Sequence, residues 1–435
     1  MIKNKFDIAL VGICKHFNYG SVLTNFAMFK TIKDMGYSAV IITQPISSQQ
    51  KPYHNIFSNL PYTQEEVITC KNKREMRSLN EISPIFCVTS DQLFNQNSYN
   101  WFDKFMLLDW VWDYKVKCTY AASFGHADLL EHTTDWTRAE MSYFMKKFDI
   151  FTVREKSGVQ LAESKFGISA KWVLDPIFLC NPQHFVDLAK NFKNEQNIFA
   201  YILDADIPEI LSDLSHSLKT PVKLVNDYEK DLRAKRKLTP VEEWLSLLIN
   251  SKFVITDSFH GLCFAIIFKK PFIVVANHLR GITRFESILS LIGMEKRMIK
   301  NSDEYLSNKK YLLSPIDWDL VYQRLKPMQN QSQSELEKIL SKGNILKPLS
   351  DYDLMIKNSL KAGLNKKYLF KMIIYKILSL VLYGKKRNHY KIKYIDLKNI
   401  TPPPPPHTHT RILIRKNSKK ILFKVKSVNN LKGEQ

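Results

Sequence analysis

The sequence contains no CxxC pair. Its six cysteines, Cys14, Cys70, Cys87, Cys118, Cys180 and Cys263, are scattered, most of them in apolar strand-like runs such as Ile85-Phe86-Cys87-Val88. This spacing supports neither a zinc ribbon nor a disulfide framework, so the thiols are expected to be small buried hydrophobes in a reducing compartment. There is no Walker loop, no GxGxxG and no DxD with an obvious partner, which argues against a bound nucleotide cofactor. No run of 18 uncharged apolar residues occurs, so a spanning helix is not expected. The opening Met-Ile-Lys-Asn-Lys-Phe-Asp runs straight into a strand of about six residues, too short for a signal-peptide core, and no export signal is expected. No repeat of fixed period is visible. His407 and His409 stand beside five prolines without a carboxylate or cysteine nearby, and are read as solvated linker with no metal site implied.

What is present suits a large folded protein. The 435 residues are 45% apolar and 12% aromatic, enough for two cores of roughly 150 residues with some chain to spare. The net charge of +22 is unevenly spread: from Asp351 onward Lys and Arg outnumber Asp and Glu 20 to 4, leaving only +6 on the first 350 residues. An anionic partner is therefore expected at the tail more than at the body.

The first 345 residues alternate strand and helix. Phe6 to Cys14 is an apolar run fit for a strand buried on both faces. Asn18-Tyr19-Gly20-Ser21 breaks it, and Val22 to Met35 has helical spacing, with Gly36 as a C-cap before the strand Ser38 to Thr43. This is a βαβ opening, hence the start of a parallel sheet. Further strands are predicted at Pro84 to Thr89, Val116 to Ala121, Ile150 to Val153 and Lys171 to Leu174, with helices at Thr137 to Phe148 and Ser157 to Phe166. Pro176 to Gln196 reads as an inter-domain connection. A second series follows, with strands at Ile198 to Leu203, Val222 to Val225, Phe253 to Thr256 and Phe272 to Ala276. Its helices are expected at Val241 to Asn250, Leu262 to Phe268 and Thr283 to Ile292. The expected fold class is α/β, with two Rossmann-like domains facing a cleft, at 1–180 and 196–345, and a basic tail at 346–435.

The sharpest local signal is a buried strand ending in Thr256-Asp257-Ser258-Phe259-His260-Gly261 with a helix starting at once. In open α/β sheets ligands bind at the carboxyl ends of strands, and a new helix offers its N–H groups to an anion. Ser258 adds a hydroxyl, and His260 is placed either as a proton donor or as a phosphate contact. A histidine here could equally cap the helix or fill a polar pocket.

This block resembles the C-terminal signature of the polysaccharide pyruvyl transferases, T-D-S-F-H-G followed by an apolar helix and K-P-F. Other segments resemble the same family in the same order: Asn18-Tyr19-Gly20-Ser21-Val22-Leu23, Ser90-Asp91-Gln92-Leu93-Phe94-Asn95, Tyr120-Ala121-Ala122-Ser123-Phe124-Gly125, Val153-Arg154-Glu155-Lys156-Ser157-Gly158, Val173-Leu174-Asp175-Pro176, and Arg284 with Ser287-Ile288-Leu289. The sequence departs from the pattern at Thr89, Leu93-Phe94, Ile177 and Leu262-Cys263, changes that bear on the acceptor more than on the donor. The resemblance implies a fold of two Rossmann-like halves, similar to GT-B-type glycosyltransferases, and transfer of pyruvate from phosphoenolpyruvate to a saccharide hydroxyl pair.

On that implication Arg154, Ser258, His260 and Gly261 hold phosphoenolpyruvate. His260 is the candidate acid and Asp91 the candidate base, each with a structural alternative. Asn18, Tyr19, Gln92 and Asp257 are candidate acceptor contacts, and Ser123, His126 and Arg284 complete the set. Replacing Arg154 or His260 with Ala is expected to change stability little. No cofactor or metal is implied beyond the donor substrate. The expected setting is the cytoplasm, at the inner membrane face if the acceptor is lipid-linked. Two alternatives stand beside it: a nucleotide-sugar glycosyltransferase, and a non-catalytic binder of an anionic polymer. Nucleic acid is not expected, because the tail alternates Lys with Ile, Leu, Val and Phe rather than with stacking aromatics. Within that tail Tyr368 to Gly384 reads as a helix of about 25 Å, short for a bilayer span of ~30 Å. With Lys371, Lys376 and flanking basic residues, it suits either an anionic membrane interface over 366–428 or packing on the body.

Overall fold

The computed structural model describes residues 5–14, 16–43, 56–59, 61–70, 73–192, 195–278, 280–344, 411–417 and 420–426. The predicted tail helix at 368–384 and the proline run at 402–406 lie outside the described residues.

The chain divides into two units, Met1–Asn358 and Ser359–Gln435. In the first, the strands in chain order are β1 (Ile8–Val11), β2 (Ala39–Thr43), β3 (Val67–Thr69), β4 (Ile85–Val88), β5 (Asp91–Gln92), β6 (Val116–Thr119), β7 (Ala122–Ser123), β8 (Thr152–Val153), β9 (Lys171–Trp172), β10 (Asn197–Ile202), β11 (Val222–Asn226), β12 (Ser251–Thr256), β13 (Phe272–Val275) and β14 (Met298–Ile299). They build two parallel five-stranded sheets, ordered β3-β2-β1-β4-β6 and β11-β10-β12-β13-β14. The first order is the dinucleotide-fold 3-2-1-4-5, and the second is the flavodoxin-type 2-1-3-4-5. Each sheet reverses direction once, between β1 and β4 in the first and between β10 and β12 in the second. Crevices open at the strand carboxyl ends of such reversals. The apolar runs Ile8-Ala-Leu-Val and Phe272-Ile-Val-Val are buried along their whole length, as strands covered by helices on both faces must be.

A third, four-stranded parallel sheet, β5-β7-β8-β9, is not foreseen in the sequence. It arises because the predicted strand Val116 to Ala121 breaks at Ala121, which has φ +53°. The chain then re-enters extended structure as β7, pairing with β5 and β8. Thr119 and Thr152 hold the break: Thr119 Oγ1 donates to the Thr152 carbonyl at 2.9 Å, and Thr152 Oγ1 accepts from Ala121 N at 2.9 Å.

The halves share one core. Tyr19, Val22 and Phe26 of the helix Tyr19–Asp34 pack with Trp244, Leu262 and Phe264 of the second half. The 24-residue helix Trp318–Ser341 lays Val321 and Leu325 against this shared core, and Leu336, Ile339 and Leu340 against the first sheet. The stretch read as a connection holds a short helical turn, Pro176–Phe178, and a helix, Gln183–Ala189. All six cysteines are buried and free. Among the described residues no helix is long and apolar enough to cross a membrane. In the second unit the described part is an antiparallel hairpin of β15 (Arg411–Asn417) with β16 (Lys420–Lys426), in register from Arg411 opposite Lys426 to Asn417 opposite Lys420.

Candidate active site

Five chain segments converge where the two sheet reversals meet. After β4 come Ser90 and Asp91, and after β8 come Arg154 and Glu155. After β9 comes Asp175, and after β12 come Asp257 and Ser258. The N-terminus of the helix Tyr19–Asp34 supplies Gly20, Ser21 and Thr24. The predicted helix from Leu262 begins three residues earlier, as Phe259–Ile267, with Ser258 as its N-cap. His260 and Gly261 therefore lie in the first helical turn, facing the other half.

Arg154 is the centre. Its Nη1 donates to Asp175 Oδ2 at 2.9 Å and to Ser90 Oγ at 3.1 Å, and lies 3.1 Å from His260 Nε2. Its Nη2 is 3.6 Å from Asp91 Oδ1. Asp175 is held on both oxygens: Thr24 Oγ1 and Ile177 N donate to Oδ1 at 2.9 and 3.1 Å, and Ser90 Oγ to Oδ2 at 2.8 Å. Ser21 Oγ donates to Asp91 Oδ2. Asp175 is 1% exposed and Arg154 2%, so this is a buried ion pair and not the surface pair with Glu155 that the sequence allows. Glu155 instead accepts from Ser123 Oγ at 3.1 Å and Phe124 N at 2.8 Å, and so fixes the loop after β7.

Arg154 Nη1 has two hydrogens and three such neighbours, so His260 Nε2 either accepts from the guanidinium or donates toward Asp175 Oδ2, 3.7 Å away. Burial, and then repulsion from Arg154, push the His260 pKa below 6.5 against the pull of Asp175. Burial alone would raise Asp175, but its hydrogen bonds, to His260 first, and the charge of Arg154 hold its carboxyl far below the usual range. Asp91 is held low in the same way, Arg154 chief among the groups that outweigh its burial, while burial raises Glu155. Stability should follow pH accordingly. As pH falls through 6.5 the unfolded chain takes up a proton that the folded imidazole resists, so stability present above that value is lost on acidification. The unfolding midpoint should drop between about pH 7.5 and about pH 5.5, and drop less in His260→Gln; equal drops would contradict a neutral buried imidazole.

A second buried arginine stands nearby. Arg154 and Arg284 lie 5.0 and 5.3 Å from the centre of the Phe259 ring. Burial, reinforced by Arg154, lowers Arg284 to about 9. Arg284 Nη2 donates to the Arg280 carbonyl. Arg154 Nε, Arg154 Nη2 and Arg284 Nε are buried without a hydrogen-bond partner among the described residues. Unmet buried donors cost ~1–3 kcal/mol each, more when charged, and call for an explanation.

The family profile of the polysaccharide pyruvyl transferases matches residues 18–278, which include every residue of this cluster except Arg284. The chain belongs to that family. A comparison with curated proteins gives no match. Among solved structures it is similar to S. aureus MnaA with UDP, at 12% identity and TM-score 0.46 over 79% of this chain and 99% of that one. It is similar also to a putative UDP-N-acetylglucosamine 2-epimerase from Listeria monocytogenes, at 14% and 0.44 over 80% and 99%. The wall teichoic acid polymerase TagF overlaps at 12% and 0.41 over 78% and 88%.

Within this pyruvyl transferase family member the other sequence candidates have varied places. Asn18 caps its helix, Oδ1 accepting from Ser21 N at 3.2 Å, and Ser258 caps the helix Phe259–Ile267. Tyr19 does not face an acceptor: it stacks on Trp244 at 5.5 Å in the shared core, and its hydroxyl donates to the Thr239 carbonyl. Asp257 points away into the second half, accepting from Leu203, Asp204 and Ala205 N and from Asn277, all its capacity taken by loop architecture. Ser123 is likewise committed to Glu155 and Gly125 N. Gln92 spans to the second half, its Nε2 donating to the Arg280 carbonyl at 2.7 Å. Gly261 packs on Thr256, where a Cβ would come within 2.4 Å of Oγ1. His126 is half-buried, its pKa lowered by burial and then by Arg284.

Sequence reasoning missed Asp175, Ser90, Thr24 and Gly20 as members of the site. A Cβ on Gly20 would fall 1.9 Å from His260 Nδ1, so glycine is what lets the imidazole lie against the first half. The available signal was an isolated Asp closing the apolar Val173-Leu174 run before Pro176.

Proposed function

We propose that this protein transfers the pyruvyl group of phosphoenolpyruvate to two hydroxyls of a saccharide, forming a cyclic pyruvate ketal on a capsular, exopolysaccharide or cell-wall polymer. The observation that carries this reading is the set of unmet, buried guanidinium donors on Arg154 and Arg284, beside the N-terminus of the helix bearing His260. A compact anion with carboxylate and phosphate oxygens satisfies such donors, and guanidinium groups bind both bidentately.

The chemistry needs one proton delivered to C3 of the enol, turning its methylene into a methyl and making C2 electrophilic. One acceptor hydroxyl adds to C2 and gives up its proton, the C2–O bond to phosphate breaks, and the second hydroxyl closes the ketal, its proton leaving with the one inorganic phosphate released. In the free protein burial disfavours the charged form of His260. Arrival of a trianion raises its proton affinity and draws Arg154 toward the ligand, so donor binding loads the proton that C3 requires. Asp91, ionised and reached through the partly exposed edge of the site, is the base for the attacking hydroxyl.

Two measurements test the reading. Phosphoenolpyruvate should raise the melting temperature while nucleotide sugars do not, since only a ligand of the native state stabilises it. Incubation with phosphoenolpyruvate and a panel of nucleotide-linked and lipid-linked saccharides should give an acceptor heavier by pyruvic acid less one water. Stabilisation by nucleotide sugars alone would replace this reading with a glycosyltransferase.

The net +16 from Asp351 onward supports a peripheral position at an anionic membrane surface, where a lipid-linked acceptor is found. The full chain should then sediment with anionic vesicles at low salt and leave them at high salt. Sedimentation indifferent to salt would remove the electrostatic basis.

A further inference from the structure

Beside the candidate donor site the two halves meet backbone to backbone. Gly125 and Gly281 both have φ +83°, and a Cβ on Gly281 would lie 1.6 Å from the Gly125 carbonyl oxygen. One residue earlier, the Arg280 carbonyl accepts Gln92 Nε2 from the first half and Arg284 Nη2 from the second. A carbonyl has two lone pairs, and these two donors use both. Gln92 is itself confined: a Cβ on Gly125 would come within 2.9 Å of its Cδ, and its backbone N donates to Asp91 Oδ1 at 2.7 Å. Arg280 is anchored in the second half through Asp204, with Nε 2.5 Å from Oδ2, and through Asp227, 3.4 Å from Nη2. The Arg280 carbonyl is thus a point at which the first half touches the segment that carries a donor-site guanidinium, beside the contact of Lys156 N with Ser287 Oγ at 3.0 Å one turn further on.

We propose that Gln92 is a positioning residue for Arg284. By sharing the Arg280 carbonyl it fixes where that guanidinium stands, so the donor site is complete only while the halves are clasped at Gln92–Arg280 and Gly125–Gly281. This rests on the reading of Arg284 as a donor-site cation. Because a displacement of about 1 Å is enough to cost an oriented interaction most of its effect, loss of the clasp should be felt at the donor without any loss of charge.

The test is phosphoenolpyruvate affinity of the full chain by calorimetry, with melting temperature recorded alongside. Gln92→Ala should weaken binding about tenfold, as expected for one hydrogen bond, with little change in melting temperature. Gln92→Glu, which lacks the N–H and puts a negative charge against the carbonyl, should be at least as weak. Gly281→Ala, which wedges the same junction from the other side, should also weaken binding and should not add to Gln92→Ala. Arg284→Ala should weaken binding more, and the Gln92→Ala/Arg284→Ala pair should bind no worse than Arg284→Ala alone, the non-additivity of two residues acting through one contact. Weakened binding in Arg284→Ala with wild-type binding in Gln92→Ala, or effects that multiply, would overturn the clasp alone. Wild-type binding in Arg284→Ala would overturn the donor-site reading and the clasp together.

Discussion

Asp175→Ala is expected to lower the unfolding free energy by about 3–5 kcal/mol, the usual cost of removing one member of a buried ion pair. The charge left behind is Arg154, 2% exposed, which would lose its 2.9 Å acceptor. Thr24 Oγ1, Ser90 Oγ and Ile177 N would lose theirs as well. The urea midpoint measures it, with Asp257→Ala as a comparison because Asp257 also accepts several backbone N–H groups outside the cluster. A cost below about 1 kcal/mol, the range of an exposed pair, would mean that Arg154 and Asp175 are not paired in a dry site. The same geometry revises the expectation that Arg154→Ala leaves stability nearly unchanged. Arg154 ties together Ser90, Asp175 and His260, and its removal leaves two carboxylates, Asp91 and Asp175, facing each other without their shared cation.

His260→Ala is expected to reduce turnover by roughly 10²–10⁴-fold, the range for a positioned acid. The loss should fall on turnover more than on donor affinity, since Arg154, Arg284 and the helix N-terminus all remain. His260→Gln separates two roles. The amide can still donate a hydrogen bond to phosphate, so a phosphate ligand would be largely rescued by it and a proton donor would not. Near wild-type turnover in His260→Ala would remove the residue from the chemistry and leave it as a structural contact of Arg154 and Asp175.

Much of the fold was legible because the strands of a doubly wound sheet are short, continuous and apolar. Phe272 to Ala276 and Thr283 to Ile292 were read within one residue of where they lie. The third sheet was legible only in part. Two of its strands fall within the predicted Ile150 to Val153 and Lys171 to Leu174. But β5 and β7 are two residues long, too short for any period to show, and the break that creates the sheet depends on Ala121 taking a positive φ that alanine does not advertise. Within the site, Arg154 and His260 stood out through the ordered segments that resemble the pyruvyl transferases, since spacing alone left His260 equally open to a capping or pocket-filling role. Asp175 did not, since an Asp before a Pro reads as an ordinary turn. Its burial comes from Thr24 and Ser90, 151 and 85 residues away. Tyr19 misled for the opposite reason. A tyrosine in a polar loop looks like a ligand contact, and only the second half, arriving with Trp244, turns it into core.

The helix Trp318–Ser341 carries a consequence for how the chain comes to be folded. Leu336, Ile339 and Leu340 complete the apolar face of the sheet that begins at Ile8, and Ser332 Oγ accepts from Leu174 N at 2.9 Å. A first half emerging from the ribosome therefore cannot finish covering its own sheet until about 160 further residues have been made, roughly 8–30 seconds at ordinary elongation rates. During that interval the faces meant for Leu336 and Leu340 are open to water and to other chains. Chaperone demand and susceptibility to aggregation should be set by the helix Trp318–Ser341, a late-made piece that completes an early-made sheet.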